Sequence, residues 1–344
     1  MSKNKKLNKA KNLKNDEFYT LYSSIEKELI YYHEQLKDKT IYLNCDNPKY
    51  SEFYKYFKNN FNTIRPKKVI TTFYNPDGKS YKTELIGKEE TKTPLIGDGD
   101  FKSKECINIL KESDIVITNP PFSLFRDFIA LLMEYEKSFL IIGNKNAVKY
   151  KEIFPLFMKN EISLGHNVEK GTMFFKSPYS EDLKSIGSYW FTNLNSGKVN
   201  DYLIMDKTYN KADYPLYDNY PAIEVSKVKD IPKDYDGIMG VPITFLNIYN
   251  PNQFKILGMT DRSNSSSLRT KKYTVEDDVK YNDLNASCVL KIGDKYKSVY
   301  TRILIERKDW ILYLFVFFYI YWFLWLFLIK ALDIYLFLLY TNNR

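Results

Sequence analysis

Short runs of β-branched and aromatic residues alternate with stretches of helical periodicity in the first half of the chain. This alternation limits the possible folds more than any other feature of the sequence. Extended segments are predicted at Thr40–Asn44, Lys68–Phe73, Pro94–Ile96, Asp114–Thr118 and Phe139–Ile142. Helical patterns cover residues 26–36, 49–61, 104–112 and 123–135. Strands that alternate with helices predict an α/β fold, in which crossover helices cover a parallel sheet.

Polar clusters follow several of these predicted strands. They comprise Asn44–Asn47, Asp98–Asp100 and Asn119. In open α/β sheets the ligand binds beyond the carboxyl ends of the strands. We therefore expect the functional site to lie at this edge of the sheet.

The tetrad Asn119-Pro120-Pro121-Phe122 carries the chemistry that is easiest to interpret. An amino group on an aromatic base is a poor nucleophile, because its lone pair is delocalised into the ring. The side-chain oxygen of Asn119 and the carbonyl of Pro120 can each accept a hydrogen bond from one N–H of that amino group. Proline offers that carbonyl at a fixed φ and without a competing N–H. Phe122 offers a face for a stacked base, an interaction worth roughly 1–3 kcal/mol.

The amino-acid composition narrows the classes of protein and of chemistry that fit this chain. The 51 basic and 42 acidic residues give a formal charge of +9, which fits a polyanionic partner without requiring one. Three dispersed cysteines argue against a disulfide framework, and two histidines argue against a zinc site or a histidine-based triad. With no apolar signal-peptide core at the N-terminus, we expect a cytoplasmic protein.

The segment Asp114–Phe122 resembles the catalytic motif of amino-methylating DNA methyltransferases. Further segments resemble the EcoRI-type adenine-specific family: residues 15–20, 43–48, 97–101, 114–125, 139–146, 228–232 and 240–245. The resemblance implies a Rossmann-like sheet with helices on both faces, which binds S-adenosylmethionine, and an irregular target-recognition region. It also implies methyl transfer to the N6 amino group of an adenine that is flipped out of double-stranded DNA.

The same resemblance assigns roles to individual residues. The catalytic set is Asn119, Pro120 and Phe122, and the DNA-binding set is Lys145 and Asn146. The cofactor set is Phe18, Tyr19, Thr20, Asn44, Asp46, Asp100 and Phe101. In this set 16–20 folds over the methionine end, Asp100 accepts from the adenine amino group, and Phe101 packs on the adenine ring.

The chain departs from the family pattern at two points. Residues 44–47 contain no glycine where a glycine-rich cofactor loop is usual, and we expect Asp46 to bind the ammonium or ribose of the cofactor there. Phe73-Tyr74 stands where an acidic residue usually follows the second strand.

Structural explanations remain open for several of these residues. Asp46 could be a helix N-cap, and Phe122 could belong to the core. Asp98 and Asp100 could form turns with the adjacent glycines. Lys145 could be a solvated loop lysine.

The chain divides into four predicted regions. Residues 1–14 form a basic arm, which either aids solubility or contacts phosphates. Residues 15–159 form the catalytic domain, and 160–308 contain target recognition and the remaining part of the sheet. Residues 309–344 form a hydrophobic tail, in which twenty apolar residues run from Trp310 to Ile329.

The tail has two interpretations. Its length suits a transmembrane helix, which would make a membrane a partner. We favour an out-of-frame extension, because the family resemblance ends near 305–308 and an AT-rich sequence read in the wrong frame gives similar residues. The tail also lacks the small residues that pack membrane helices.

Alternatives to DNA adenine methylation also remain. Related tetrads serve protein glutamine or RNA, and a catalytically silent DNA-binding or membrane-tethered protein would belong to another class. If DNA is the substrate, a cognate restriction endonuclease acting on the same site is a further expected partner, without direct contact.

Overall fold

The computed structural model describes residues 19–168, 171–177, 180–197, 201–261, 267–278 and 280–308, together with Trp322 and 328–330. The predicted basic arm, the proposed cofactor residue Phe18 and most of the hydrophobic tail lie outside these residues. Within the described part of the chain, no helix is long and apolar enough to span a bilayer.

The elements follow one another in the order that the sequence patterns indicate, with additions. The strands are β1 (Tyr19–Thr20), β2 (Thr40–Leu43), β3 (Lys68–Thr71), β4 (Tyr81–Ile86), β5 (Glu89–Pro94), β6 (Ile115–Thr118), β7 (Ser138–Asn144), β8 (Ser163–Leu164), β9 (Met173–Ser177), β10 (Ser180–Ile186), β11 (Ser188–Thr192), β12 (Ala222–Glu224), β13 (Ile238–Pro242), β14 (Phe254–Met259), β15 (Val289–Ile292), β16 (Lys295–Ser298) and β17 (Arg302–Arg307). The helices are α1 (Tyr22–Leu29), α2 (His33–Leu36), α3 (Glu52–Ile64), α4 (Lys104–Glu112), α5 (Phe125–Glu134), α6 (Phe154–Met158) and α7 (Tyr281–Leu284).

The large sheet has the strand order β5-β4-β3-β2-β6-β7-β11-β8. The central strands β3, β2, β6 and β7 run parallel, as predicted. The strands outside them pair antiparallel, so the sheet is mixed rather than wholly parallel. The α/β fold class is confirmed, and the antiparallel edges are an addition that the sequence patterns did not predict.

Helices cover both faces of this sheet, because successive strand residues point to opposite sides. Ile41 and Leu43 pack with α1 and α3 in one cluster. Tyr42 and Val116 pack with α4 and α5 in another. Strands that are largely apolar and buried at every position, such as β2 and β6, suit a sheet that is covered on both faces.

Serine caps fix the starts of α3 and α4. The Ser51 hydroxyl accepts from the Tyr54 amide at 3.1 Å at the start of α3, and Ser103 accepts from Cys106 at 3.2 Å at the start of α4. Arg65 ends α3 in the left-handed conformation, with φ of 56°. An N-cap of this type stabilises a helix by about 1 kcal/mol.

A second sheet, with the order β12-β13-β17-β14, packs against the α4 and α5 side of the large sheet. The ion pair between Arg302 and Glu224, at 2.6 Å, is buried within it. Strand β13 ends at Pro242, and a 3-10 turn follows it over Ile243–Asn247. Two smaller groupings are β1-β9-β10 and the hairpin β15-β16.

Candidate active site

Asn119 directly follows β6, a fully buried central strand of the large sheet. Asn119 is half-buried and its Oδ1 atom is withdrawn from solvent, while Pro120 is buried. Pro121 has φ of −54° and ψ of 127°, so the chain is still extended when it enters the 3-10 turn Phe122–Leu124 and then α5. Two prolines in succession hold the Asn119 side chain and the Pro120 carbonyl at the end of the strand.

Asp46 connects the loop after β2 to this tetrad. Its Oδ2 atom accepts a hydrogen bond from the Thr118 hydroxyl at 2.6 Å, and its Oδ1 atom accepts one from the Ser51 hydroxyl at 2.6 Å. Its amide donates to the Thr72 carbonyl at 3.0 Å, just beyond β3. Burial raises the pKa of the Asp46 carboxyl to about 6, against the opposing effect of the two hydroxyl donors. Asp46 thereby joins the ends of three neighbouring strands, since it follows β2, contacts β6 through its carboxylate and contacts the end of β3 through its amide.

The loop 97–101 reaches the same edge of the sheet. Burial raises the pKa of the Cys45 thiol, and the negative charges of Asp46 and Asp100 raise it further. Gly99 has φ of +82°, and a Cβ atom there would collide with the Phe73 carbonyl oxygen. Glycine is therefore required where this loop passes the end of β3.

Asp98 and Asp100 both form turns, which was one of the roles that the sequence left open for them. Asp98 Oδ1 accepts from the Asp100 amide at 3.0 Å, and Asp100 Oδ1 accepts from the Lys102 amide at 2.8 Å. The Phe101 ring is almost wholly buried and meets the Phe128 ring edge-on, with centroids 5.1 Å apart. The ring is thus held between the loop and α5.

The N-terminal segment lies beside the tetrad. Tyr19 and Thr20 form β1, and Thr20 pairs with Phe175 of β9. The Phe175 ring meets the Phe122 ring edge-on, at a centroid distance of 6.3 Å. Thr20 is buried, and its hydroxyl has no hydrogen-bonding partner among the described residues, so a polar group of a ligand can still be accommodated there.

Lys145 and Asn146 follow β7 and are exposed, at the same edge of the sheet. The Lys145 amide donates to the Gly187 carbonyl at 2.9 Å, and its side-chain stem lies against that glycine. The Asn146 amide donates to Asn144 Oδ1 at 2.9 Å. Both side chains therefore stand on a fixed turn and face solvent, where a large ligand can reach them.

The structure separates some of the open alternatives. Asp46 is not a helix N-cap, because Ser51 caps α3 and Asp46 accepts from Ser51 instead. Asn44 is buried directly after β2, beside Cys45. Phe122 is partly buried against the cluster under α1 and α3, so a packing role and a ligand-facing role can coexist in one ring.

The family model described as "Adenine-specific methyltransferase EcoRI" matches residues 6–308. The chain belongs to this EcoRI methylase family. It is 43% identical over 289 residues to the Type II methyltransferase M.EcoRI of Escherichia coli, a match that covers 74% of this chain and 89% of that protein. It is 39% identical over 324 residues to M.MgeORF184P of Mycoplasma genitalium, which covers 88% of this chain and 98% of the relative. M.MpnI of Mycoplasma pneumoniae is 42% identical over 268 residues, covering 73% and 84%. No solved structure matches the chain.

Membership of the EcoRI methylase family makes the chain an adenine-specific methyltransferase. It also argues against the protein-glutamine alternative. The resemblance to this family is confirmed, and the match begins at residue 6, before the first resembling segment at 15–20. Three residues that contact predicted residues of the candidate site were not predicted from the sequence: Thr118, Ser51 and Phe175. A hydroxyl at a strand end next to the tetrad was the available signal for Thr118.

Proposed function

We propose that this chain is a site-specific DNA methyltransferase, which transfers a methyl group from S-adenosylmethionine to the N6 amino group of a flipped adenine. The observation that supports it is the placement of Asn119 and Pro120 beside Asp46. Asn119 and Pro120 follow β6, Asp46 follows β2, and these two strands are adjacent and parallel. The relatives, named Type II methyltransferases, support the same chemistry.

We propose further that the large sheet is of the Rossmann-like methyltransferase type. From β2 the chain moves outward to β3, whereas from β6 it moves in the opposite direction to β7. The strand order therefore reverses between β2 and β6, and ligands of open α/β sheets bind at such a switch point. Asp46 and Asn119 lie on its two sides.

The described residues fit S-adenosylmethionine. Buried acceptors at Asn44 and Asp46 suit the ammonium or ribose, and the orphaned hydroxyl of Thr20 suits the methionine end. Asp100 and Phe101 suit the adenine, as an acceptor and an apolar ring. When bound, this cofactor supplies a methyl group on a sulfonium, which is open to attack by nitrogen.

The residues of the chain then act on the target base. The Asn119 side-chain oxygen and the Pro120 carbonyl each accept a hydrogen bond from one N–H of the adenine amino group. This arrangement favours a more tetrahedral nitrogen with a localised lone pair. The Phe122 face stacks on the base, and Phe175 holds the Phe122 ring edge-on. A methylated amino nitrogen would release one proton, which water can accept, so no histidine is needed.

We also propose a division of labour on DNA. Lys145 and Asn146 contact the target strand near the flipped base, and side chains of 160–308 read base edges in the grooves. Flipping costs a few kcal/mol, which these contacts offset. We propose that the enzyme acts in the cytoplasm, in a restriction-modification system whose nuclease cuts the same unmethylated sequence.

Asn119→Ala gives the first test of this function. DNA from a host that expresses the wild-type chain should carry N6-methyladenine in one sequence context, whereas DNA from cells with the variant should carry none. Because Asn119 holds the amino group and not the cofactor, calorimetry should give cofactor affinities within about twofold. Activity of the variant within about tenfold of wild type would contradict the assignment of Asn119. If DNA from the host that expresses the wild-type chain carries no N6-methyladenine, the proposed function itself is contradicted.

A further inference from the structure

Asp46 holds two hydroxyl groups that belong to different structural elements. Thr118, the last residue of β6, donates to one carboxylate oxygen, and Ser51, the cap of α3, donates to the other, each at 2.6 Å. Thr118 has no exposed surface and Asp46 is 8% exposed. Short bonds from hydroxyls to a carboxylate belong to the stronger class of hydrogen bonds. The three residues thus form a buried link that crosses from the loop after β2 to the catalytic strand.

The residue at the far end of this link is the neighbour of the reactive tetrad. Thr118 immediately precedes Asn119, so a rotation or shift of Thr118 moves the Asn119 backbone and the Pro120 carbonyl with it. The two prolines stiffen the chain on the other side, at 120–121. One end of the tetrad is fixed by the prolines and α5. At the other end, the pairing of Thr118 with Ile141 of β7 holds the backbone, and the contact of the Thr118 hydroxyl with Asp46 adds a side-chain restraint.

The link is costly to the fold, which argues against a purely structural role. A carboxylate buried this deeply loses hydration, and its raised pKa shows that the two hydroxyls do not fully offset the loss. A valine at position 118 would fill the same space without demanding a buried charge. Costly polar contacts of this kind are concentrated at functional sites.

We infer that Asp46 is a positioning residue of the methyl-transfer reaction, which sets the placement of Asn119 and Pro120 through the hydroxyl of Thr118. The inference rests on the proposed function for its catalytic consequence. It gives Asp46 a role beyond the cofactor contact implied by the family resemblance. It also joins the cofactor loop to the base-binding tetrad through a single carboxylate. Displacement of a reacting group by about 1 Å can cost roughly a hundredfold in rate.

Thr118→Val tests the link, because it removes the hydroxyl and keeps the shape. We expect kcat at saturating cofactor and DNA to fall by about tenfold or more, with cofactor affinity within about twofold of wild type. Thr118→Ser, which keeps the hydroxyl, should restore kcat to within about threefold. Thr71→Val is the matched control, since Thr71 is equally buried at the end of β3 and its hydroxyl has no partner among the described residues. Its kcat should not change.

Amide hydrogen exchange gives a readout that does not depend on activity. The Leu124 amide donates to the Pro121 carbonyl at 3.0 Å and reports on the order of the tetrad turn. Thr118→Val should speed its exchange by about fivefold or more, and Thr71→Val should not. Asp46→Asn combined with Thr118→Val should change the unfolding midpoint by less than the sum of the single changes.

Each outcome decides the inference. A Thr118→Val enzyme with kcat within about twofold of wild type would overturn it, and so would a change confined to cofactor affinity. If the wild-type chain does not methylate DNA, the proposed function fails, and exchange at Leu124 then decides the link alone. Unchanged exchange would overturn the link in that case too.

Discussion

Asp100 shows how one carboxylate can serve both a turn and a ligand. Its Oδ1 atom accepts from the Lys102 amide at 2.8 Å, while a carboxylate has a second oxygen that can accept from an adenine amino group. Asp100 also lies close enough to Cys45 to affect the pKa of that thiol, which places it at the cofactor edge of the sheet. The turn therefore orients the Asp100 side chain through Oδ1, and Oδ2 can still accept a hydrogen bond from the ligand.

Asp100→Ala should weaken S-adenosylmethionine binding by about 1–3 kcal/mol, the cost of losing a buried partner. Calorimetry with the isolated protein measures this effect directly. Asp100→Asn is the control, since it keeps an acceptor for the Lys102 amide and can keep one contact with the ligand. Unchanged affinity in the alanine variant would show that Asp100 only forms the turn.

Asp46 makes folding stability depend on pH in a direction opposite to that of a salt-bridged aspartate. Its pKa of about 6 in the folded chain lies above the ordinary value of 3.8, so the folded state binds the proton more tightly. The stabilising contribution is therefore complete below pH 4 and is lost as the pH rises through 6. Between pH 5 and 7.5 the loss amounts to about 1 kcal/mol.

Asp46→Asn should remove this dependence, because an amide does not titrate in that range. Urea unfolding of both proteins at pH 5 and 7.5 checks it. The variant should gain about 1 kcal/mol relative to wild type at the higher pH. An equal difference at both pH values would mean that the burial of Asp46 does not perturb its ionisation.

At the scale of elements, the helices with clear caps and apolar periodicity were the most predictable. The predicted helix 104–112 agrees with α4, because Ser103 caps it and Cys106, Ile109 and Leu110 lie on one face. The β4-β5 hairpin was missed apart from Pro94, since β5 consists of exposed charged and threonine residues with no apolar run. Gly87, with φ of 60°, was the one turn signal in that stretch.

The site was predictable to the same unequal degree. Asn119 could be assigned from the tetrad and the strand before it, because both are local in sequence. The contact between Asp46 and Thr118 joins residues 72 positions apart, and only the pairing of β2 with β6 brings them together. The Phe175 contact also depends on β1 and β9, two short strands whose pairing no local pattern indicates.

For the molecule as a whole, the large sheet extends beyond the predicted catalytic domain 15–159, as expected for the region after it. Strands β8 and β11 belong to the large sheet, although they fall within 160–308. The second sheet and the β15-β16 hairpin are built entirely from residues after 201. Among the described residues, 201–308 contribute no strand to the large sheet, and we therefore propose them as the unit to exchange.

Exchange of 201–308 with the same region of a relative of different site preference should transfer that preference. Mapping of methylated adenines in host DNA measures it, and an exchange of 19–197 is the reciprocal control. Retention of the original preference by the first exchange would place base readout in the large sheet or in the β9-β10 hairpin.

The chain after Lys308 offers the last test. Strand β17 lies between β13 and β14 and pairs with both, so the second sheet cannot form without it. The Lys308 amide still donates to the Gln253 carbonyl, at 2.9 Å, and the family match also ends at 308. A chain that ends at Lys308 therefore retains all four described strands of the second sheet. It should remain in the soluble fraction after cell lysis and methylate DNA at least as well as the full-length chain.

A chain that ends at 301, without β17, is the control and should lose activity through unfolding of the second sheet. If only the full-length protein is active, or if activity appears solely in the membrane fraction, the tail is a working part of the enzyme.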